Sequence, residues 1–378
     1  MKHVAIDLGG RESQMCVRNA DGSIVEEGKQ PTRRLPALLA KMEPSRLVLE
    51  TCSEAFKIAE AARAAGHEVR IVPATLVRSL GVGARGVKTD QRDARTLSEV
   101  SCRIDLPTVH LPSVRARELK TMCGSRDALI ETRTKLINNV RGWMRTQLLR
   151  IRGGKAATFP DRVRALAPQH PIPAYIERTL LTIGAHTTQL ALADKELAAL
   201  AKGDPTCRLL MTAPGVGPIT AVRFLAVIDD PTRFPNAHRV QSYLGLTPGE
   251  HSSSDRQQRT GITKAGSSAM RRTLIQAAWV AYRRRPTDPM IKWTAAIAER
   301  RGVFIAIVAL ARKLSGVLYA MWRDNAPYRP THGQPDSSAG GDREHLVSVR
   351  TARSAREASA HECGAAGGSL SSARAPMA

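Results

Sequence analysis

The hydrophobic and polar positions of the first hundred residues alternate in short blocks that predict an α/β domain. Apolar runs bounded by turn-forming residues are typical of strands, and five occur, at 3–9, 13–19, 22–28, 46–52 and 68–74. Helical periodicity ending in a glycine predicts a helix over 54–66, and further helices are expected around 36–42 and from 85 onward. The expected element order is therefore β-β-β-α-β-α-β-α.

Residues 114–152 predict a long helix with a seven-residue repeat. The repeating apolar residues are Met122, Leu129, Leu136 and Trp143. Such a repeat is typical of the seam of a coiled coil or of a long helical hairpin. We expect its partner to be a returning helix at 174–202 or a helix of a second copy of the chain.

The chain from 206 to 324 predicts a mostly helical domain, with apolar helices near 269–284 and 303–323. A long polar loop is expected at 248–266. The stretch PGVGP at 214–218 is typical of a helix-hairpin-helix motif, or alternatively of an ordinary helix–helix turn. In the first case its two glycines would let backbone N–H groups approach a phosphate; they are Gly215 and Gly217.

Charge changes this picture by indicating a partner. The formal net charge of +23 indicates a polyanion such as DNA or RNA. The Ser-, Ala- and Gly-rich tail at 325–378 is expected to be disordered and is nearly neutral, so the excess charge lies in the folded parts. Aromatic residues make up 4% of the chain, which disfavours base-stacking platforms. Basic residues that we expect to contact nucleic acid are Arg141, Arg145, Arg256, Arg259, Lys264, Arg271 and Arg272.

Cysteine usage and hydropathy bound the compartment. The six cysteines form no CxxC pair, which argues against a zinc site and a disulfide framework. The N-terminus lacks the apolar core of a signal peptide, and no apolar run is expected to approach the roughly 20 residues that span a bilayer. The expected location is cytoplasmic and nucleoid-associated, without a membrane partner.

Two acids, Asp90 and Asp93, lie three residues apart in the otherwise basic stretch GVKTDQRDARTL. On a helix these positions share a face, where like charges repel. One interpretation is a solvated face on which Lys88, Arg92 and Arg95 neutralise the acids. The other is a functional cluster.

The expected element order is that of the ribonuclease-H-like fold, and it favours the functional cluster. Asp7 and Glu50 end two strands that are neighbours in that fold, and Asp90 and Asp93 open a helix that packs on the sheet. Four converging carboxylates repel one another unless cations compensate them. Mg²⁺ takes carboxylate oxygens, and a pair of such ions about 4 Å apart serves phosphodiester exchange. We therefore expect these four acids to bind Mg²⁺, with two ions.

A run of three serines, Ser252 to Ser254, lies in the predicted loop and is followed by arginines. A serine hydroxyl becomes a nucleophile only when a neighbour takes its proton or cations stabilise the developing charge. The basic residues could hold a phosphate beside it; an ordinary flexible loop is the alternative.

The opening AIDLGG is also typical of sugar kinases and actin-like ATPases. Those proteins need a second Asp-Gly-Gly loop and an adenosine-binding glycine pair in a related second domain. The later glycine pairs here, at 153–154 and in the tail, do not follow a strand. This alternative is therefore weak.

Several long stretches, in order from residue 3 to about 322, resemble the bridge-RNA-guided transposases of insertion sequences. They are AIDLGGRESQMCV, VLETC, KTDQRDARTL, RTKLINNVRGWMR, APGVGPITA, RFPNAHRVQSYLGLTPGEHSS and GITKAGSSAMRRTLIQAA. The resemblance implies an N-terminal RuvC-like DEDD domain and a C-terminal transposase domain with a nucleophilic serine. By motif, the metal-binding acids are Asp7, Glu50, Asp90 and Asp93.

The family's serine lies nine positions into the GL.P motif, which gives Ser253 counted from Gly245. The family's serine precedes a glycine, whereas Ser254 follows here, so Ser252 and Ser254 remain candidates. The resemblance also implies a covalent phosphoserine, strand exchange without free double-strand breaks, and a noncoding RNA that pairs with donor and target DNA.

We therefore expect a RuvC-like DEDD nuclease domain at 1–108, a basic helical or coiled-coil connector at 109–205, a serine-containing transposase domain at 206–324 and a tail at 325–378. The expected function is that of an insertion-sequence DNA recombinase acting as a dimer or tetramer. The alternatives are a metal-dependent, junction-resolvase-like endonuclease and a non-enzymatic nucleic-acid-binding scaffold.

Overall fold

The computed structural model describes residues 1–79, 90–253 and 256–330, and it describes their side chains except at 77–79 and 251–259. The predicted tail beyond 330 lies outside the described residues. The chain forms two compact units. The first comprises Met1–Leu197 and Val222–Asp230, and the second comprises Ala198–Ala221 and the chain from Pro231 onward.

A mixed five-stranded sheet forms the centre of the first unit, in the order β3-β2-β1-β4-β5. Its strands are β1 (His3–Asp7), β2 (Glu12–Arg18), β3 (Ile24–Pro31), β4 (Arg46–Glu50) and β5 (Glu68–Val72). β1 pairs antiparallel with β2 and parallel with β4, and β4 pairs parallel with β5. All five predicted strands are confirmed, with ends that differ by a few residues.

Helices cover both faces of this sheet because alternate strand residues point to opposite sides. Val4 and Ile6 of β1 pack with α1 (Leu35–Leu39) and α2 (Ala55–Ala64). Ala5, between them, lies in a separate core on the other face with Leu97 of α4. The helices that complete this part are α3 (Ala74–Ser79) and α4 (Asp90–Arg103).

Two long helices follow, α5 (Val114–Thr146) and α7 (Ala174–Gly203), with the short α6 (Phe159–Arg164) between them. Within the first unit, the end of α5 packs on the start of α7 in an antiparallel arrangement. The buried residues of this contact are Ile137, Val140 and Met144 on α5, Phe159 and Val163 on α6, and Ile176, Leu180 and Ile183 on α7. The predicted helix began at the observed residue and ran six residues too long.

The predicted seam of α5 is confirmed in part, because Leu136 and Trp143 pack against the buried cluster that α5 forms with α6 and α7, but the most buried row lies one position later. The seam residues Met122, Leu129, Leu136 and Trp143 are half-buried. The fully buried row contains the residues that follow three of them, Cys123, Ile137 and Met144. A seven-residue spacing is shared by adjacent rows of a helix, so the spacing alone does not identify which row faces the partner.

The second unit is mostly helical. Its helices are α8 (Pro205–Leu210), the start of α9 (Pro218–Ile228), α10 (Ala237–Tyr243), α11 (Ser268–Arg284), α12 (Pro289–Arg301) and α13 (Val303–Arg323). The prediction of a loop at 248–266 was wrong in part. Two strands, β6 (Pro248–Ser253) and β7 (Arg256–Ile262), pair there as an antiparallel hairpin.

Helix α13 is the core of this unit and contacts α8, α10, α11 and α12. In the described part of the chain it is the one helix whose length and composition would allow it to cross a membrane, although half of its most apolar window is buried inside the protein. The expectation that no apolar run approaches membrane length was therefore wrong. From Ala306 onward, most apolar residues of α13 instead pack against the surrounding helices.

Candidate functional site

Two of the predicted acids end neighbouring parallel strands. The β1–β4 register pairs Ile6 with Leu49, so Asp7 and Glu50, the next residues, lie side by side at the strand ends. Neighbouring strands are about 4.8 Å apart. Alternate residues of a strand point to the same face of the sheet, so both acids are on the same face as Ala5, which is the face that α4 covers. The predicted proximity of these two acids is therefore present in the backbone.

Helix α4 brings the other two acids to this face. Asp93 lies among the buried residues of α4 and is only 3% exposed, whereas Asp90, the first residue of the helix, is exposed. The helix packs on β1 and β2. Two buried serines of α4 anchor it there: Ser101 Oγ lies 2.8 Å from Nδ1 of His3, and Ser98 Oγ accepts from Arg18 Nε at 2.9 Å.

A second set of contacts holds the other flank of α4. Arg95 donates from Nε and Nη2 to the Glu27 carboxylate of β3 at 2.7 and 2.6 Å, and Gln91 Nε2 donates at 3.1 Å. The hydrogen bond from Arg95 lowers the pKa of Glu27. Arg95, one of the three basic residues considered as neutralising the two helix acids, thus pairs with Glu27 of β3. Lys88 lies outside the described residues.

The turn that follows Asp7 is pinned by a pair of buried hydroxyl groups. Thr32 Oγ1 donates to the Gly9 carbonyl at 2.6 Å and lies 2.7 Å from Ser13 Oγ. The Gly9 N–H in turn donates to Ser13 Oγ at 3.3 Å. The backbone beside Asp7 is therefore fixed by Ser13 of β2 and by Thr32, the residue that follows β3.

The four acids do not form a finished metal centre in this structure. Within 1–79, 90–253 and 256–330, no three His, Cys, Asp or Glu side chains are grouped so that they could hold a metal ion. The assignment of the four acids as metal ligands therefore stays a prediction. Asp90 is exposed at the start of α4, and residues 80–89 before it lie outside the described residues. The donor set, four carboxylates, still has the chemistry of a Mg²⁺ site.

The serine run lies at the end of a strand. Ser253 is the last residue of β6, and its backbone pairs with Arg256, the first residue of β7. Ser252 pairs with Gln257 one position further from the tip. Ser254 and the side chains of Arg256 and Arg259 lie outside the described residues. Ser252 and Ser253 therefore lie at the end of β6, opposite the start of β7.

The base of this hairpin is closely packed. Gly245 has φ +68°, and a Cβ there would lie 2.0 Å from the Ala265 carbonyl oxygen. Arg271 Nη1 donates to the carbonyls of Ala265, Gly266 and Leu244 at 2.7, 3.1 and 3.2 Å. This organising contact of Arg271 was missed from the sequence, which could not show that its guanidinium faces loop carbonyls. Lys264 and Arg272 are exposed.

The other predicted contacts are distributed over both units. On α5, Arg141 and Arg145 are exposed, and the Arg141 guanidinium lies 5.6 Å from the ring centroid of Phe159. In the turn before α9, Gly215 has φ +76°, and a Cβ there would lie 2.1 Å from the carbonyl oxygen of Ala277 on α11, whereas Gly217 has open space. A packing requirement therefore accounts for Gly215 before any ligand is considered.

A buried ion pair in the first unit escaped the sequence reasoning. Arg223 is 5% exposed and donates from both Nη atoms to the Asp127 carboxylate of α5, each at 2.7 Å. Burial lowers the pKa of Arg223, but the Asp127 contacts outweigh it and the pKa is raised. Burying an arginine is tolerated when it is paired in this way. The two residues are far apart in sequence, so no local pattern predicts their contact.

Comparison with known proteins adds to this geometry. Residues 4–147 match the DEDD transposase model of IS110 elements, described as a transposase, and residues 207–291 match the transposase IS116/IS110/IS902 family. The chain is 29% identical over 342 residues to a probable family 20 transposase of Pseudomonas aeruginosa, covering 87% of this chain and 99% of that protein.

Two further relatives are named for insertion sequences. The chain is 25% identical to the transposase for insertion sequence element IS1111A of Coxiella burnetii, covering 87% of this chain and 92% of that protein. It is 24% identical to the transposase for insertion sequence element IS1328 of Yersinia enterocolitica, covering 84% and 96%.

Proposed function

We propose that the chain is an insertion-sequence transposase of the IS116/IS110/IS902 family that cleaves and exchanges DNA strands with the four acids and a serine of the β6–β7 hairpin. The observation that carries this proposal is the in-register pair of Asp7 and Glu50 at the ends of β1 and β4, on the sheet face that α4 covers. Parallel strand ends that carry acids, with an acidic helix start over them, suit phosphodiester chemistry.

In this proposal the acids hold divalent cations. Asp7, Glu50 and Asp93 would supply ligands from the sheet face and from α4, and Asp90 would join them from the exposed first turn of that helix. Bound Mg²⁺ would stabilise the charge that develops on the oxygens of a phosphodiester undergoing exchange. The anchors of α4 on β1, β2 and β3 limit how far its acids can move from the sheet.

The serine would act as the nucleophile. In the proposed step, Ser253 Oγ loses its proton and forms a bond to the phosphorus of a DNA phosphodiester, while the bond from phosphorus to one sugar oxygen breaks and that oxygen takes up a proton. Attack by the sugar hydroxyl of another strand on the phosphoserine then restores the serine. The energy of the phosphodiester is retained, so strands exchange without hydrolysis or a further energy source.

Nucleic acid would be held by basic surfaces in both units. Arg141 and Arg145 on α5 and Lys264 and Arg272 near the hairpin are exposed, and the formal net charge is +23. Gly217 would present its backbone to a phosphate at the helix-hairpin-helix-like turn. The resemblance described above supports a noncoding bridge RNA as guide, a homo-oligomer as the active form, and a cytoplasmic, nucleoid-associated location.

The experiment tests whether the acids act in catalysis. Asp93→Asn and Glu50→Gln should each abolish Mg²⁺-dependent strand cleavage of DNA carrying the ends of the element, while DNA affinity is retained. Glu12→Gln is the matched control because Glu12 is an exposed acid at the start of β2. Full cleavage by Asp93→Asn and Glu50→Gln would refute the assignment.

The second candidate function is a structure-selective endonuclease that uses the acids alone. It predicts that Ser253→Ala, Ser252→Ala and Ser254→Ala all retain cleavage. The in-register acids alone are compatible with it, whereas the serine-bearing hairpin on its closely packed base favours the recombinase.

A further inference from the structure

An aromatic cluster on the second unit has no role in the chemistry proposed above. Trp279 of α11 and Phe304 at the start of α13 meet edge to face, with ring centroids 6.1 Å apart at 78°. Tyr282, one turn further along α11, lies 6.3 Å from Trp279 at 85°. We call these three residues the aromatic patch. The low aromatic content of the chain disfavoured a base-stacking platform, but content does not reveal where the rings gather.

The aromatic patch is open to solvent at Phe304, whereas Trp279 and Tyr282 are half-buried. Phe304 is 77% exposed, and two neighbouring apolar side chains, Ile305 and Val280, are 49% and 41% exposed. An aromatic ring carries a large apolar area and usually stabilises a fold through burial. Phe304 contributes little to the core in this way, so its exposure indicates a ligand rather than a packing role.

One arginine lies over a ring of the aromatic patch, and four more lie close to it in sequence. The Arg283 guanidinium lies 5.0 Å from the centroid of the Trp279 ring. Arg284 and Arg285 are exposed at the end of α11, and Arg300 and Arg301 are exposed directly before α13. Neither α11 nor α13 contains an acidic residue, and the nearest acid in sequence to Phe304 is Glu299. The charge around the rings is therefore strongly positive.

We propose that the aromatic patch binds an unpaired nucleotide of a nucleic-acid strand. The base stacks on the exposed face of Phe304, and the backbone phosphates lie against Arg283 and Arg301. Stacking suits any base because every base has a π-face, and the arginines suit the polyanionic backbone. The inference rests on the nucleic-acid function proposed above and adds a site for single-stranded segments to it.

A second copy of the chain is the less favoured occupant. A symmetric contact through this surface would bring the same patch of each copy together, and with it the exposed arginines on each side. Like charges facing each other oppose association. A strand of nucleic acid compensates those charges instead.

Fluorescence anisotropy on the full chain tests the proposal. The probes are labelled oligo-dT, oligo-rU and a DNA duplex, each of about 12 nucleotides or base pairs, within the site size of single-strand binders. Phe304→Ala and Phe304→Leu should each weaken single-strand binding about tenfold while leaving duplex binding unchanged. Phe304→Trp keeps an aromatic ring at this position and should bind single strands as tightly as the wild type. The contrast between dT and rU identifies whether the natural strand is DNA or RNA.

Two controls separate stacking from other effects. Ile305→Ala removes an exposed apolar side chain next to Phe304 without removing a ring, and it should leave all affinities unchanged. Arg283→Ala should flatten the salt dependence of single-strand binding by about 0.7 in slope, whereas Phe304→Ala should keep the wild-type slope. Because Phe304 is exposed, its variants should keep the wild-type circular dichroism and melting temperature.

Wild-type single-strand affinity in Phe304→Ala and Phe304→Leu would overturn the proposal. A changed sedimentation coefficient with unchanged single-strand affinity would also overturn it, because that outcome would identify an interface between copies of the chain. Strand exchange is measured separately. If the Phe304 variants lose single-strand binding but the wild type exchanges no strands, the recombinase function alone is refuted. Normal single-strand binding by Phe304→Ala beside normal exchange would refute the stacking site alone.

Discussion

Substituting Gly215 by alanine tests whether the turn before α9 is built by packing against α11. Gly215 has φ +76°, and the methyl group of an alanine there would meet the Ala277 carbonyl oxygen at 2.1 Å and the Ala281 nitrogen at 2.8 Å. Gly217, two residues later, has neither a positive φ nor a neighbour within 4 Å. The two glycines of one turn therefore form a matched pair.

The expected cost follows from three contributions. Placing a non-glycine residue in the left-handed region costs about 1–2 kcal/mol. Forcing a methyl group against the backbone of α11 costs about 1–3 kcal/mol. The reduced entropy of the unfolded chain returns about 0.4–1 kcal/mol. Gly215→Ala should thus lower the free energy of unfolding of the second unit by about 3 kcal/mol, within a range of about 1–4.5 kcal/mol, whereas Gly217→Ala should change it little.

Urea unfolding followed by tryptophan fluorescence is a suitable assay, because Trp279, Trp293 and Trp322 all lie in the second unit. The midpoint of Gly215→Ala should fall by about 1 M or more, given the usual slopes for urea. Equal midpoints for the two variants would refute the packing argument. A decrease in duplex affinity in Gly217→Ala at unchanged stability would assign the phosphate contact to that glycine.

Three further predictions concern the first unit. Arg223→Ala should destabilise it by about 2–3 kcal/mol in thermal or urea unfolding, because the substitution removes the two charge-assisted hydrogen bonds to Asp127, which still has Arg126 Nη1 at 3.9 Å; an unchanged midpoint would contradict this. The pKa of Glu27 is lowered from its ordinary value of 4.5, so its contribution to stability is present above that pH and is lost as the pH falls through the lowered pKa. Glu27→Gln should therefore flatten the acid side of the stability–pH profile, and a profile identical to that of the wild type would refute this. Replacing Arg141 and Arg145 by alanine should reduce the slope of log affinity against log salt for duplex DNA by about 0.9 for each phosphate that they neutralise, and an unchanged slope would show that they do not bind phosphate.

The sheet was predictable because its strands follow local rules. Short apolar runs bounded by turns indicated β1 to β5, and the carboxyl ends of β1 and β4 carry Asp7 and Glu50 as expected. The element order determined which strands are neighbours, so a long-range pairing could be inferred without coordinates. Helix α13 was predicted over its observed range because its apolar periodicity is continuous.

The hairpin escaped prediction because its strands are polar. The stretch from Pro248 to Ile262 contains serines, glutamines and glycines with no apolar alternation, so local preference indicated a loop. The hairpin is instead closed from outside the strands, by the contact of Gly245 with Ala265 and by the carbonyls that Arg271 binds. Such contacts depend on tertiary position and leave no local pattern.

The candidate site shows the same division. The residue types and strand ends identified the acids, but the exposure of Asp90 and the pairing of Arg95 with Glu27 depend on how α4 lies on the sheet. The aromatic patch depends on the approach of α11 to α13. Sequence reasoning thus predicted which residue types end the strands and begin the helix better than the contacts that position them.

The most direct test of the central claim is the trapping of a covalent protein–DNA adduct. The full chain is incubated with Mg²⁺, labelled DNA carrying the ends of the element, and RNA transcribed from the noncoding flank, and the products are separated under denaturing conditions. The account predicts a labelled adduct with the wild type and with Ser252→Ala, and none with Ser253→Ala or Asp93→Asn. Cleaved DNA without any adduct, or an adduct that persists in Ser253→Ala, would contradict it.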